Sequence, residues 1–422
     1  MELRNLTPFH ALSFDGTDTD DQRFHVVVMR VGYRLVPSGA RPPEMTHRAV
    51  LQEGDDAVPL CMEDVYFGAP HESGVREESD LAQYKPRCDV LVRATAHPPG
   101  PEPATHWHVR VRVTCPGSPA ERAAEGTAPP ESESKSEPAR KVLLDKTLAV
   151  HGPRWFVKGP SGWTATEPEA TRAVPVRWDH AFGGRSRVEA HDLGTPVLHE
   201  VCFLNPLGSG WLEERYLEAL RDNGDPVPDR IPAPQIEYPD DPVTALRITR
   251  QPGGDIDAHA MAEVAADYIH RPAGLGPLGR AWTPRLQRAG TYDVAWQEER
   301  WPKSPLDFDP LYWNAAPDDQ QIDYPPPDAR IELFQLTPDG YLSVELPGHR
   351  ALVLWRCDDG TLLPAKMDID TLTIDAEAST LDVVWRALLP ADVGVRVAEA
   401  RFEIDPQAPL LVFVRGERPT KE

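Results

Sequence analysis

Residues 178–184 (WDHAFGG) place an acid and an imidazole side by side, between a tryptophan and a phenylalanine that is followed by two glycines. Asp179 and His180 could form a general acid–base pair, because a carboxylate can orient an imidazole that exchanges protons near neutral pH. That chemistry would suit a hydrolase. The same letters also suit a packed turn, in which the rings of Trp178 and Phe182 are buried and the glycines form a tight turn.

Residues 274–279 (GLGPLG) match the GxGxxG pattern of dinucleotide-binding loops. That pattern binds phosphates only between a strand and a helix of a βαβ unit. Here His-Arg-Pro-Ala precedes the glycines, and both Pro277 and the following Trp-Thr-Pro interrupt the expected helix. We therefore interpret the segment as a glycine-rich turn that allows close backbone approach, and we predict no nucleotide or other cofactor.

Metal-binding and nucleophile patterns are missing from the sequence. His106 and His108 share a strand face with two arginines, and the histidines at 180, 191 and 199 lack zinc-like spacing. The chain contains no GxSxG or HExxH motif. Cys202 lies at the end of an apolar stretch, where a buried thiol is usually inert. We predict no metal site, no catalytic residue and no enzymatic activity.

The chain is strongly acidic, with a formal charge of −23 over 422 residues. Such a surface repels nucleic-acid backbones and anionic lipid, because binding either requires clustered cations. Five scattered cysteines without a CxxC pair indicate reduced thiols. Neither a basic leader followed by an apolar core nor a membrane-length apolar stretch occurs. We expect a cytoplasmic protein that binds neither nucleic acid nor membrane.

The pattern of apolar residues predicts a mainly β protein. Forty-six prolines, about twice the usual share, exclude a mostly helical chain. Period-2 and β-branched stretches predict strands at residues 24–31, 33–35, 89–94, 107–113, 141–144, 147–150 and 155–157. Helical periodicity is limited to residues 211–220 and 259–269. Long acidic, proline-rich loops span residues 226–252 and 302–327. Residues 116–140, rich in Pro, Glu, Ser and Ala, predict a disordered insertion.

From about residue 329 the sequence reads as a run of strands separated by Pro-Asp-Gly and Asp-Asp-Gly turns. The predicted strands lie at residues 329–336, 341–346, 351–356, 361–369, 381–389, 395–404 and 410–414. The expected fold is a large antiparallel β region with one or two short helices and long proline-rich loops, followed by a β-sandwich-like unit. We place the two parts at residues 1–325 and 326–422.

Several stretches resemble, in the same order, a bacterial family long described only as a domain of unknown function, whose members accompany type VI secretion spike and toxin proteins. The matching stretches are SDLAQYKPRCDVLV (79–92), VHGPRWF (150–156), WDHAFGG (178–184), NPLGSG (205–210), GLGPLGRAWTPR (274–285), GTYDVAWQEERWPKSPLDFDP (290–310) and YWNAAPDDQQ (312–321). The chain departs from that family at His180, where an arginine is often found, and this departure argues against a catalytic His180.

The resemblance implies a non-enzymatic adaptor or chaperone that binds a type VI effector toxin and assists its loading onto the spike protein, without being exported itself. The acidic surface would suit a basic effector. Two alternatives remain, a structural component of the spike and a hydrolase using Asp179 and His180. Because aromatic and arginine side chains are typical interface anchors, the candidate partner-binding residues are Lys85, Arg87, Trp211, Tyr216, Arg280, Trp282, Arg285, Trp296, Tyr312 and Trp313. The same rings could instead pin loops to the core.

Overall fold

The protein is mainly β, as predicted, in a computed structural model that describes residues 1–38, 46–117, 140–191, 194–254 and 256–409. The strands, in chain order, are β1 (Glu2–Asn5), β2 (His10–Thr17), β3 (Arg23–Ser38), β4 (Thr46–Leu51), β5 (Val65–Tyr66), β6 (Val75–Glu77), β7 (Cys88–Arg93), β8 (Thr95–Ala96), β9 (His106–Pro116), β10 (Arg140–His151), β11 (Trp155–Gly159), β12 (Gly162–Ala165), β13 (Val174–Pro175), β14 (Phe182–Gly183), β15 (Arg185–Glu189), β16 (Pro196–Val201), β17 (Ser209–Gly210), β18 (Leu212–Glu213), β19 (Arg230–Pro232), β20 (Ile236–Glu237), β21 (Ala245–Leu246), β22 (Ile248–Thr249), β23 (Gln321–Ile322), β24 (Arg330–Phe334), β25 (Tyr341–Glu345), β26 (Arg350–Cys357), β27 (Leu362–Lys366), β28 (Asp368–Asp375), β29 (Thr380–Pro390) and β30 (Val395–Glu403).

A single large sheet organises the molecule. Its strands follow the order β20-β10-β9-β24-β25-β4-β3-β29-β28-β7-β23, and β2 also pairs with β3. Most neighbours are antiparallel, whereas β4 with β25 and β7 with β28 are parallel. Strands from both sides of residue 325 therefore share this sheet. The division into two parts at that residue stays a prediction.

A smaller sheet packs against the large one. It has the order β1-β30-β26-β27, and β1 joins it by pairing in parallel with β30. The main hydrophobic core contains side chains from both sheets, including Val111 of β9, Val383 of β29 and Trp355 of β26. Alternation along β9 matches the prediction, since Val109 and Val111 are buried and the arginines between them are not.

The predicted insertion at residues 116–140 joins two neighbouring strands. Pro116 at the end of β9 pairs with Arg140 at the start of β10, and the ladder continues to the other end of both strands. The predicted insertion therefore connects two strands that pair with each other as a hairpin. Its residues 118–139 lie outside the described part of the chain, as does the predicted strand at 410–414.

The helices are short, and the described chain contains two more than the upper limit of the prediction. α1 (Glu214–Asn223) and α2 (Ala258–Ala266) lie where periodicity indicated them. α3 (Thr283–Leu286) and α4 (Val294–Glu299) were not predicted. One or two turns are too short to display a helical period. The start of α4 is stabilised by Asp293, whose side chain accepts a hydrogen bond from the Trp296 N–H.

Candidate functional site

Trp178 is part of a packed structural element. Its side chain is buried, and its indole N–H donates to the carbonyl of Pro277 over 2.9 Å. The ring lies edge-to-face against Trp282, with centroids 5.7 Å apart. A Cβ atom at Gly274 would come within 2.9 Å of the Trp178 ring. The GLGPLG stretch is therefore a turn that packs closely on this tryptophan, as predicted.

The two glycines that end the WDHAFGG stretch adopt backbone conformations that other residues rarely take. Their φ angles are +142° at Gly183 and +134° at Gly184. A Cβ atom at Gly183 would lie 2.2 Å from the carbonyl oxygen of Asn205. Phe182 is buried beside them. The predicted burial of both rings is confirmed. The predicted tight turn is not found, because Gly183 belongs to the short strand β14, which pairs with β17.

Asp179 and His180 face other partners. Asp179 accepts a hydrogen bond from Arg177 over 2.7 Å, and His180 Nδ1 lies 2.9 Å from the side-chain oxygen of Gln235. His180 Nε2 and the nearest Asp179 oxygen are 3.9 Å apart, beyond hydrogen-bond distance. The acid–base hypothesis stays a hypothesis, and its two groups are not hydrogen-bonded to each other.

Asp89 is a fully buried carboxylate at which two of the sequence motifs meet. Its oxygens accept hydrogen bonds of 2.9–3.2 Å from Lys85 Nζ, Asn314 Nδ2 and the backbone N–H groups of Ala315 and Ala316. The Lys85 ammonium also donates to Thr371 Oγ1 of β28 over 2.9 Å. This network joins the 79–92 and 312–321 stretches to the C-terminal part of the large sheet.

Lys146 is, after Asp89, a second buried hub, by which we mean a buried charged side chain whose hydrogen bonds join several segments. Its ammonium donates to the Gly274 carbonyl over 3.0 Å and, over 2.8 Å each, to side-chain oxygens of Asp319 and Gln320. β10, which carries the lysine, is thereby fixed to both the glycine-rich turn and the 312–321 stretch. Burial lowers the pKa of the Lys146 ammonium from 10.5 to about 8.

We expect the Lys146 site to make the protein more stable as the pH rises from about 8 to 10.5. In that interval the unfolded chain binds a proton that the folded chain has released, so deprotonation favours folding. The full effect is about 3 kcal/mol. Chemical denaturation of wild type and Lys146→Met across this interval measures it, because the variant lacks the titrating group. Parallel stability curves for the two proteins would contradict the expectation.

Four of the ten candidate partner-binding residues are buried and hold the fold. They are Lys85, Trp211, Trp282 and Arg285. Arg285 donates to the carbonyl oxygens of Leu278 and Tyr312 and to the Glu78 carboxylate. Trp211 belongs to a small apolar cluster with Phe182 and Cys202. These side chains do not reach the surface, and their contacts fasten loops to the sheets.

The other six candidates are at least partly accessible. They are Arg87, Tyr216, Arg280, Trp296, Tyr312 and Trp313. Arg87 pairs loosely with Asp323 at 3.7 Å, and Arg280 bonds to Glu78. Tyr216, on α1, packs against a separate apolar cluster. Trp296 lies on α4, and Tyr312 and Trp313 contact Phe308, which follows α4 in the chain.

A segment with exposed apolar side chains spans residues 291–308, and we call it the docking segment. Its most exposed members are Tyr292, Val294, Trp301 and Leu306, with 57, 68, 68 and 76% of their surface accessible. Tyr292 packs edge-to-face on Trp296, with ring centroids 4.7 Å apart. Between α4 and the chain near Leu306 lies a cavity of about 360 Å³ lined partly by Trp296. Phe308 at its end contacts the rings of Tyr312 and Trp313.

The docking segment is held firmly at both ends. Thr291 donates from its backbone and its hydroxyl to the Asp307 carboxylate, which closes the segment. Arg300 and Lys303 both bond to Asp21, on the loop between β2 and β3, over 2.9 and 2.7 Å. The exposed side chains therefore lie on an ordered loop and helix fixed to the large sheet.

Sequence reasoning found Trp296 in this segment but missed its most exposed members. A usable signal was present. Tyr292, Val294, Trp301 and Leu306 lie in an acidic, proline-rich stretch that has neither a strand alternation nor a helical face long enough to bury them. Apolar residues without a periodic partner in such a stretch indicate a surface that another molecule can cover.

Groups typical of other kinds of site are not found within the described residues. No cluster of three or more His, Cys, Asp or Glu there is arranged to hold a metal ion. All five cysteines are buried, and burial raises the pKa of Cys202 to about 12. None of the helices in this part of the chain has the length and apolar character of a membrane span.

The chain matches a known protein family over most of its length. A family model described as "Uncharacterized protein conserved in bacteria (DUF2169)" matches residues 20–386, which is most of the chain. No curated protein and no solved structure matches it. The matched range contains both buried hubs and the whole docking segment.

Proposed function

This chain belongs to the DUF2169 family of uncharacterized proteins conserved in bacteria, and with that as premise we propose that it is a non-enzymatic adaptor. It binds a type VI secretion effector and assists its loading onto the spike protein. The ordered series of motifs supports this proposal through their resemblance to proteins that accompany spikes and toxins. The docking segment is the single observation that carries the binding role.

Exposing large apolar side chains is unfavourable unless another molecule covers them. Val294 and Leu306 are 68 and 76% accessible, and full burial of such a side chain is worth roughly 1.5–3 kcal/mol. Adjacent aromatic rings are the commonest anchors of protein interfaces. A segment that carries several exposed apolar side chains on an ordered loop is therefore suited to binding a protein surface.

The buried motif residues give the docking segment a rigid base. Arg285 donates two hydrogen bonds to the Tyr312 carbonyl, just after the segment. Arg288 accepts the Asp309 N–H at its carbonyl and bonds through its guanidinium to Asp318. A surface ordered before binding loses less conformational entropy when its partner docks. These contacts support the proposed binding role of the docking segment.

We expect the double variant Val294→Ser/Leu306→Ser to lose binding of the effector while remaining folded. Both side chains are mostly in water, so their removal costs little stability, whereas an interface loses two apolar contacts and weakens by about tenfold or more. Co-purification of the full chain with the toxin encoded beside its gene measures binding. Val197→Ser, which changes a similarly exposed valine on β16, is the control and should bind normally.

Export of the toxin tests the loading role. Deleting the gene for this chain should abolish secretion of that toxin while other spike-dependent proteins continue to be secreted. The double variant should reproduce the deletion, and Val197→Ser should restore export. Normal toxin secretion from the deletion strain would overturn the adaptor proposal, as would finding this protein in the culture medium as a spike component.

A further inference from the structure

We infer that the part of the effector that lies on the docking segment is basic as well as apolar, an inference that rests on the proposed docking function. The carboxylates around the apolar side chains outnumber the cations that could neutralise them. A partner segment carrying lysine or arginine among apolar residues satisfies both features of the surface. Charge complementarity identifies the class of partner and not a particular protein.

The acidic side chains of the segment are largely uncompensated. Asp293, Glu298, Glu299 and Asp307 are exposed carboxylates. Asp293 caps α4, and Asp307 binds Thr291, whose hydrogen bonds lower the pKa of the Asp307 carboxyl and keep it ionised. The described structure shows no hydrogen bond or ion pair for the side chains of the two glutamates.

The two cations of the segment are already engaged. Arg300 bonds to the Asp21 carboxylate and to the carbonyl oxygens of Thr19 and Ser304, over 2.7–2.9 Å. Lys303 bonds to the same Asp21 oxygen over 2.7 Å. These contacts hold the segment in place. They leave a surface of negative charge around the apolar residues.

The cavity in the segment suits a long cationic side chain. Its lining includes Trp296 and Leu306, the acidic residues Asp293, Glu299 and Asp307, and Arg300, whose guanidinium is bonded to Asp21. The aliphatic stem of a lysine or arginine can lie along apolar walls while its charged end meets carboxylates at the rim. An indole ring also attracts a cation placed over its face.

The same charges disfavour other occupants. Nucleic acid and anionic lipid would bring further negative charge onto the segment, in a chain whose formal charge is −23. A second copy of this chain, docked through the same segment, would set its carboxylates against their own equivalents. Like charges brought together across an interface reduce affinity and suppress pairing. A basic protein segment is the occupant that gains from the surface.

The inference is tested with random peptides displayed on phage and selected on the immobilised full-length protein. Only peptides whose binding is lost on the Val294→Ser/Leu306→Ser variant are kept and synthesised. These should be enriched in lysine and arginine beside tryptophan, leucine or phenylalanine. Their affinity is then measured by calorimetry at low and high salt, because screening weakens exposed charge pairs.

The matched variant Asp293→Asn/Glu299→Gln neutralises two carboxylates of the cavity and keeps the helix cap, since asparagine caps as well as aspartate. It should weaken the peptides about three- to tenfold and flatten their salt dependence. Glu53→Gln/Asp55→Asn, which neutralises two exposed carboxylates elsewhere, should change neither. Segment-dependent peptides that are neutral or acidic, or that ignore the carboxylate variant, would overturn the basic partner and leave docking intact. A selection without any segment-dependent peptide would overturn docking itself.

Discussion

Replacing Asp89 by alanine is expected to lower the free energy of unfolding by about 3–5 kcal/mol. In the native protein the Asp89 carboxylate lies 2.9 Å from the Lys85 ammonium. The substitution leaves this ammonium in the interior without its counter-ion. It also removes the acceptor for the Asn314 amide and two backbone N–H groups, and each unpaired buried donor adds a desolvation penalty. Chemical denaturation of the full chain measures the loss.

Two further variants distinguish the effect of losing the buried Asp89 network from the effect of losing any negative charge. Asp323→Ala removes a carboxylate that is 91% exposed and pairs loosely with Arg87, and it should change stability by less than about 0.5 kcal/mol. Adding Lys85→Met to Asp89→Ala should recover part of the loss, because removing both ends of a buried pair costs less than removing one. A loss for Asp89→Ala as small as that for Asp323→Ala would contradict the role of the hub.

Local sequence patterns predicted the strands because side-chain burial in a strand follows a period of two. The valines of β9 alternate with arginines, and the buried and accessible faces follow directly. The rings of WDHAFGG were also predictable, since a tryptophan and a phenylalanine beside glycines allow close packing. These features depend on neighbouring residues only, so one sequence is enough to find them.

The order of strands in the large sheet could not be predicted in the same way. β7 lies beside β28, and Asp89 pairs in register with Thr371, about two thirds of the chain length away. No local pattern encodes such a pairing, because either strand would bury its apolar face equally well beside another neighbour. This is also why strands of the C-terminal region, predicted as a separate unit, lie in the same sheet as β3 and β7.

The candidate partner-binding residues illustrate a related limit. Lysine, arginine and tryptophan can bind a partner at an interface or hold the core together from inside. Which of the two a given side chain does depends on contacts with residues far away in the sequence. Arg285 is buried because Glu78, 207 positions earlier, and the Tyr312 carbonyl meet it. Trp296 remains accessible because α4 is too short to bury it. The residue types of the candidate site could be predicted from the sequence, but whether each side chain is buried or exposed could not.

Two tryptophans of this chain should separate stability from binding. Trp178→Ala is expected to lower the free energy of unfolding by about 3–5 kcal/mol, because a large buried ring leaves a cavity beside Trp282 and Gly274. Trp301 is 68% exposed, so Trp301→Ala should change stability by less than about 0.5 kcal/mol. Thermal and chemical denaturation of both variants measure the difference.

The more conservative Trp178→Phe divides the contribution of the ring from that of its hydrogen bond. It keeps most of the apolar contact and loses the indole N–H that donates to the Pro277 carbonyl, so it should cost more than Trp301→Ala and less than Trp178→Ala. If Trp301→Ala weakens effector binding while Trp178→Phe does not, the buried motif serves the fold and the exposed one serves the partner. Equal stability losses for the two alanine variants would show that the packing of the WDHAFGG stretch does not support the sheet, and would return Asp179 and His180 to consideration as a functional pair.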